Sequence, residues 1–137
     1  MSNKERVIFI SAHNSARSQM AEGLLSHLCG DRYLAFSAGV DPLEMDPLTV
    51  EVMAERGIDI SHQRSKSLKE LWGTAFDVVA KIRDWEKEPC PLFPGGRRRA
   101  HMDLKDPLSV EDAEERRRAL RTARDEIEGW IVETFGK

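Results

Sequence analysis

Residues 9–23, FISAHNSARSQMAEG, run from a hydrophobic stretch through a short polar loop straight into a helical pattern, and few architectures accept that order. The stretch RVIFIS (Arg6–Ser11) is continuously β-branched and aromatic, which suits a strand buried on both faces. From about Ser15 the apolar spacing becomes helical: Met20, Leu24 and Leu28 recur every fourth residue, with Ala21 and Leu25 beside them. A doubly buried strand that feeds a helix is the opening unit of an α/β domain with a parallel sheet.

The remainder repeats that alternation. Gly30 is placed to cap the first helix, and YLAFSAG (Tyr33–Gly39) is a second strand. VDPLEMDP is a loop, with Pro47 opening a helix that carries Leu48, Val52 and Met53 and ends near Gly57. Gly57–Gly73 reads as an extended piece, a turn and one or two helical turns, ahead of a third strand at Phe76–Ile82. RDWEKEPCPLFPGGRRR holds three prolines and two glycines and predicts a long surface loop, of a kind that is often functional. RAHMDL (Arg99–Leu104) is a fourth strand and Asp106-Pro107 a turn. Leu120, Ala123, Ile127, Trp130 and Ile131 mark the buried stripe of a final helix from about Val110 to Phe135. Four strands alternating with helices predict a three-layer α/β/α fold around a four-stranded parallel sheet. A length of 137 residues without repeat or linker predicts a single domain, 1–137.

Charged residues make up 33% of the chain and the net charge is −3, so nothing in the bulk points to nucleic acid or an anionic membrane. No apolar run approaches the ~20 residues of a membrane span, and MSNKERVIFI lacks the features of a secretion signal. Two cysteines, Cys29 and Cys90, do not make a disulfide framework. The expectation is a cytoplasmic monomer without a cofactor. Of the basic runs Arg97–Arg99 and Arg116–Arg118, the second follows Glu111, Asp112, Glu114 and Glu115, the pattern of a salt-bridged solvent face rather than a nucleic-acid surface. His13, His27, His62 and His101 have no metal-site spacing.

The loop itself carries the chemistry. In parallel α/β sheets, ligands bind beyond the carboxyl ends of the strands. Ser11, Ala12, His13, Asn14, Ser15, Ala16, Arg17 and Ser18 occupy that place, and most of their side chains are small enough for the backbone to curl around a guest. The helix start adds N–H donors and partial positive charge. Arg17 adds a planar fork matched to a tetrahedral oxyanion. The competing reading is a plain strand-to-helix turn with Ser15 as cap and Arg17 in solvent.

SAHNSARSQMAEGLL closely resembles the phosphate-binding loop of the low-molecular-weight protein tyrosine phosphatases, and most of all the arsenate reductases built on that fold. There the loop reads Cys, five residues, Arg, then Ser or Thr. The resemblance continues in order through SAG (Ser37–Gly39), GIDIS (Gly57–Ser61), SKSL (Ser65–Leu68), CPLFPG (Cys90–Gly95) and DP (Asp106–Pro107). It implies phosphate, arsenate or sulfate as ligand, Asp106 as general acid, and Asn14 and Ser37 as braces of the loop. It also implies thioredoxin or a phosphoprotein as partner. Some reductases of this type bind potassium with such groups plus acidic residues. Glu22 matches one of these, but Lys66 stands at the expected aspartate, which suggests that its ammonium replaces the ion and pairs with Glu22.

The chain departs from the family where the reaction begins. The family's nucleophile is the cysteine that opens the loop, and Ser11 stands there. A thiol of pKa ~8.5 falls below about 7 beside a helix N-terminus and arginine, and then attacks unaided. A serine hydroxyl needs an adjacent base, and nothing in the sequence aims the His13 ring at Ser11. The reductase branch also needs two further cysteines. Cys90 matches the last of them, but the middle position falls on Ile82 or Arg83, neither of which can exchange thiols. Cys29, at the end of an amphipathic helix, reads as a buried filler. Three accounts of Ser11 stay open: an engineered replacement of cysteine, favoured by the otherwise intact loop; a natural oxyanion sensor or adaptor without catalysis; or a serine mechanism that the sequence does not display. Under the first two, the chain binds an anion and does not turn it over.

Overall fold

The computed structural model describes residues 3–90 and 92–136. Four strands, β1 (Glu5–Ser11), β2 (Tyr33–Gly39), β3 (Val78–Arg83) and β4 (Arg98–Asp103), form one sheet in the order β2-β1-β3-β4. Every pairing is parallel. The helices are α1 (Arg17–Cys29), α2 (Pro47–Ala54) and α3 (Ala113–Phe135), with single 3₁₀ turns at Leu68–Leu71 and Pro107–Ser109.

The apolar run in β1 is central because it is paired on both sides, and its period-two alternation divides the core. Val7 and Phe9 face α1, α2 and α3, where Met20, Leu24, Met53 and Ile127 close over them. Ile8 and Ile10 face the other way, onto Leu68, Phe76 and Phe93. The fold is thus three-layered, with its second helical layer reduced to the turn at Leu68–Leu71 and neighbouring loop residues. Each large apolar side chain buried this way contributes about 1.5–3 kcal/mol. Strand β4 is an edge and mostly exposed, and its charged sequence RRAHMD discourages further pairing.

Several boundaries differ from the sequence expectation. Helix α1 starts at Arg17 rather than near Ser15, because Ser15 belongs to the loop. Gly30 is right-handed, with φ −64°, so it is not a left-handed cap. Leu28 is 41% exposed: by the last turn α1 has rotated that position off the core. Helix α3 starts at Ala113, where the Asp112 carboxylate accepts the Glu115 N–H at 3.0 Å and fixes the end. The arginines that follow reach beyond their own helix. Arg116 binds Asp46 at 3.2 Å, Arg117 binds Glu51 at 3.3 Å, and Arg121 and Arg124 share Glu55, so they tie α3 to α2.

Candidate functional site

Ser11 ends β1 at the carboxyl edge of the sheet, and Arg17 begins α1. The loop between them is anchored through its carbonyls. Ser11 O accepts Val40 N, Ala12 O accepts Asp41 N, His13 O accepts Leu43 N, and Ser15 O accepts Asp46 N. With the carbonyls committed to segment 40–46, the donors of the loop are left over. No hydrogen bond among the described residues takes the backbone N–H of His13, Ser15, Ala16, Arg17 or Ser18. Ser15, Ala16, Arg17 and Ser18 are nevertheless 4%, 2%, 2% and 0% exposed. Buried unpartnered N–H groups are rare in folded proteins.

Asn14 is the keystone of the loop. Its φ is +52°, a left-handed conformation that asparagine tolerates better than most residues. Its side chain makes three hydrogen bonds: Nδ2 donates to Ser18 Oγ at 2.7 Å, while Oδ1 accepts Gln19 Nε2 at 3.1 Å and the Lys66 N–H at 3.0 Å. Gln19, wholly buried on the inner face of α1, also donates to Arg64 O at 3.0 Å. Its role escaped the sequence reading, although a glutamine at an inward helical position is a usable signal.

The Ser11 hydroxyl lies 2.6 Å from Ser18 Oγ and accepts the Asn14 N–H at 3.3 Å. Neither group is a base. His13 turns elsewhere, with Nδ1 2.9 Å from Asp41 O, so no His13–Ser11 couple forms. Ile82 is wholly buried, and the Arg83 guanidinium lies 3.7 Å from the centre of the Trp85 ring. Cys90 is exposed, with its Sγ 3.7 Å from Lys81 Nζ, and Cys29 is buried; the two are not bridged.

Arg17 is not in solvent. It is 2% exposed and its fork grips a carboxylate: Nη1 and Nη2 donate to Glu88 Oε1 and Oε2 at 2.6 and 2.7 Å. Nη1 also donates to Leu104 O at 2.9 Å. Asp106 Oδ2 stands 4.0 Å from Nη2, while Asp106 Oδ1 caps the following turn by accepting Leu108 N–H at 3.0 Å. Burial pushes the Glu88 carboxyl up, but the Arg17 hydrogen bonds, the Asp84 N–H and the charges of Arg17 and His13 prevail and hold it below its ordinary 4.5. Glu88 and Ser11 share a cavity of 200 Å³ with Ala12, His13 and Ile82. No sequence pattern linked Glu88 to Arg17.

Behind the loop, Lys66 does not bind Glu22 directly. Its ammonium donates to the carbonyls of Ser37 and Arg64, both at 3.0 Å. Glu22 accepts the Ser37 hydroxyl at 2.6 Å. Burial raises Glu22 above 4.5 against the Ser37 bond and the Lys66 charge. Burial, helped by the charge of Arg64, lowers Lys66 from 10.5. Among the described residues, no group of three or more His, Cys, Asp or Glu side chains is placed to hold a metal. No helix among them is long and apolar enough to cross a membrane.

A parallel sheet whose first strand delivers a serine-opened loop and an arginine to the start of a helix defines a phosphatase-like α/β protein. Residues 6–134 match the low molecular weight phosphotyrosine protein phosphatase family, and the chain belongs to it. It is 35% identical over 136 residues to an arsenate reductase of Halalkalibacterium halodurans, covering 98% of this chain and 97% of that one. Among solved structures, it is similar to a thioredoxin-dependent arsenate reductase of Corynebacterium glutamicum (33% identity, TM-score 0.75), covering 98% of this chain and 62% of that one. It also resembles an arsenate reductase in the phosphate binding state (27% identity, TM-score 0.75), covering 94% of this chain and 98% of that one.

Proposed function

We propose that the loop Ser11–Ser18 binds a tetrahedral oxyanion, either phosphate, arsenate or sulfate, and that with serine at position 11 the chain holds the ion without transforming it. The observation that carries the reading is the set of buried, unpartnered N–H groups from Ser15 to Ser18 at the start of α1, joined by the buried Arg17. Asn14 and Gln19 brace the loop, and Ser37, Glu22 and Lys66 support it from behind. The similarity to an arsenate reductase in its phosphate binding state supports the same ligand class.

Catalysis is a separate matter. Ser11 touches no base, so the covalent step that a thiolate performs has no counterpart here. Asp106, near Arg17, is the group we assign as proton donor to a leaving oxygen in a chain that carries the cysteine. A thioredoxin-linked relay in this chain would have Cys90 alone, since the middle position falls on Ile82 or Arg83. The geometry therefore favours a binding role, that of an oxyanion sensor or adaptor, over a reductase.

Calorimetry with orthophosphate at millimolar concentration tests the binding, and Ser11→Cys tests the chemistry. We expect phosphate uptake by the unmodified chain with no hydrolysis of an aryl phosphate. Hydrolysis by the cysteine variant would identify a phosphatase site lacking only its nucleophile. Failure of a folded sample to take up phosphate at all would overturn the reading.

A further inference from the structure

The Arg17 fork carries two parallel hydrogen bonds to one carboxylate, the geometry in which arginine binds an oxyanion. That carboxylate comes from Glu88, 71 residues away, in the long loop between β3 and β4. A third donor, the Asp84 N–H, reaches Glu88 Oε1 at 2.7 Å. The backbone turn beneath is held separately, by Glu88 N–H on Asp84 O at 2.9 Å and by Arg83 Nη1 on Glu88 O at 3.0 Å. Glu88 thus contributes to the site what a ligand would contribute, two acceptor oxygens and a negative charge.

Two anions cannot occupy one fork. Like charges held this close repel strongly where water screens them only in part. We propose that Glu88 is an internal competitor for Arg17, so that an oxyanion enters only by displacing its carboxylate, and that occupancy of the loop is thereby coupled to the arrangement of residues 84–90. This rests on the oxyanion reading of the loop and deepens it. A ligand shifts an equilibrium only through its different affinity for the two states, and here that difference has a named source: Arg17 serves either Glu88 or the ligand. Departure of the carboxylate also frees the Asp84 N–H, in a turn that carries the half-exposed Trp85 and leads to Cys90.

The test is sulfate titration by calorimetry on the full chain and on Glu88→Gln and Glu88→Ala, with the Asp84 amide followed by NMR in the unmodified protein. Both variants keep the main-chain bonds of the turn. We expect all three to bind, the two variants about tenfold or more tighter because the competitor is weakened or gone. We also expect the Asp84 amide proton to move upfield as sulfate saturates, since its carboxylate acceptor leaves. Folded variants that bind sulfate no tighter than the unmodified chain, or an Asp84 amide that stays put at saturation, would overturn the competition alone. Absence of binding in all three would overturn both the competition and the oxyanion reading beneath it.

Discussion

Gly39 lies so close to Asn14 that a Cβ added to it would sit 2.9 Å from both the Asn14 Cβ and the Asn14 nitrogen. The last residue of β2 is therefore the floor on which the left-handed keystone of the loop rests. The Asn14 nitrogen and the His13 carbonyl carbon, also 2.9 Å away, are backbone atoms that cannot step aside. Gly39→Ala is expected to cost about 1–3 kcal/mol of stability, and to weaken anion binding by more than its effect on stability explains. Urea unfolding together with sulfate titration checks both.

The keystone residue can be dissected in the same way. Asn14→Gly keeps the left-handed backbone and removes the contacts to Ser18, Gln19 and Lys66. Asn14→Ala removes those contacts and adds backbone strain. Both should destabilise, the alanine variant by roughly 1 kcal/mol more, the cost of a left-handed alanine. Equal losses in denaturant unfolding would mean that the side-chain bonds alone matter.

Lys66 offers a prediction about ions. Its ammonium already satisfies the carbonyls of Ser37 and Arg64. The melting temperature should therefore be the same in potassium and sodium chloride of equal concentration. Lys66→Met leaves both carbonyls without that donor and should lose about 1–3 kcal/mol. A clear stabilisation by potassium over sodium would contradict the role given to the ammonium.

Glu55 sets a pH dependence. The hydrogen bond from Arg121, reinforced by Arg124, overcomes burial and lowers its carboxyl from 4.5 to about 2. An acid with a depressed folded-state value contributes stability above its unfolded value and loses it as pH falls through the folded one. Glu55→Gln should therefore melt below the unmodified chain at neutral pH. The gap should begin to close below about pH 4.5 and be nearly gone by pH 2. A gap independent of pH would assign the effect to something other than this charge.

The strand, loop and helix at residues 5–29 were legible because buried strands and amphipathic helices write their periods locally. So was the candidate anion loop, where small residues and one arginine are adjacent in the chain. What was hidden is what depends on distant partners. Glu88 reaches Arg17 across 71 residues with no local pattern to announce it. The sequence pairs Lys66 with Glu22, yet the route of its side chain places the ammonium on two carbonyls. The motif SAG contains Gly39, but the reason for that glycine lies in the loop that follows the neighbouring strand. In the run Arg116–Arg118, Arg117 makes the local pair with Glu114 that a salt-bridged face implies, but Arg116 and Arg117 also reach Asp46 and Glu51 at α2, which no local pattern announces.

The most direct test of the account is an NMR titration of the isotope-labelled chain with orthophosphate, read at the amides of Ser15, Ala16, Arg17 and Ser18. These resonances are expected to move downfield together along one saturable curve, and Arg17→Ala to abolish the response in a folded protein. Amides that do not move at tens of millimolar phosphate, or shifts confined to the exposed arginines 97–99, would contradict it.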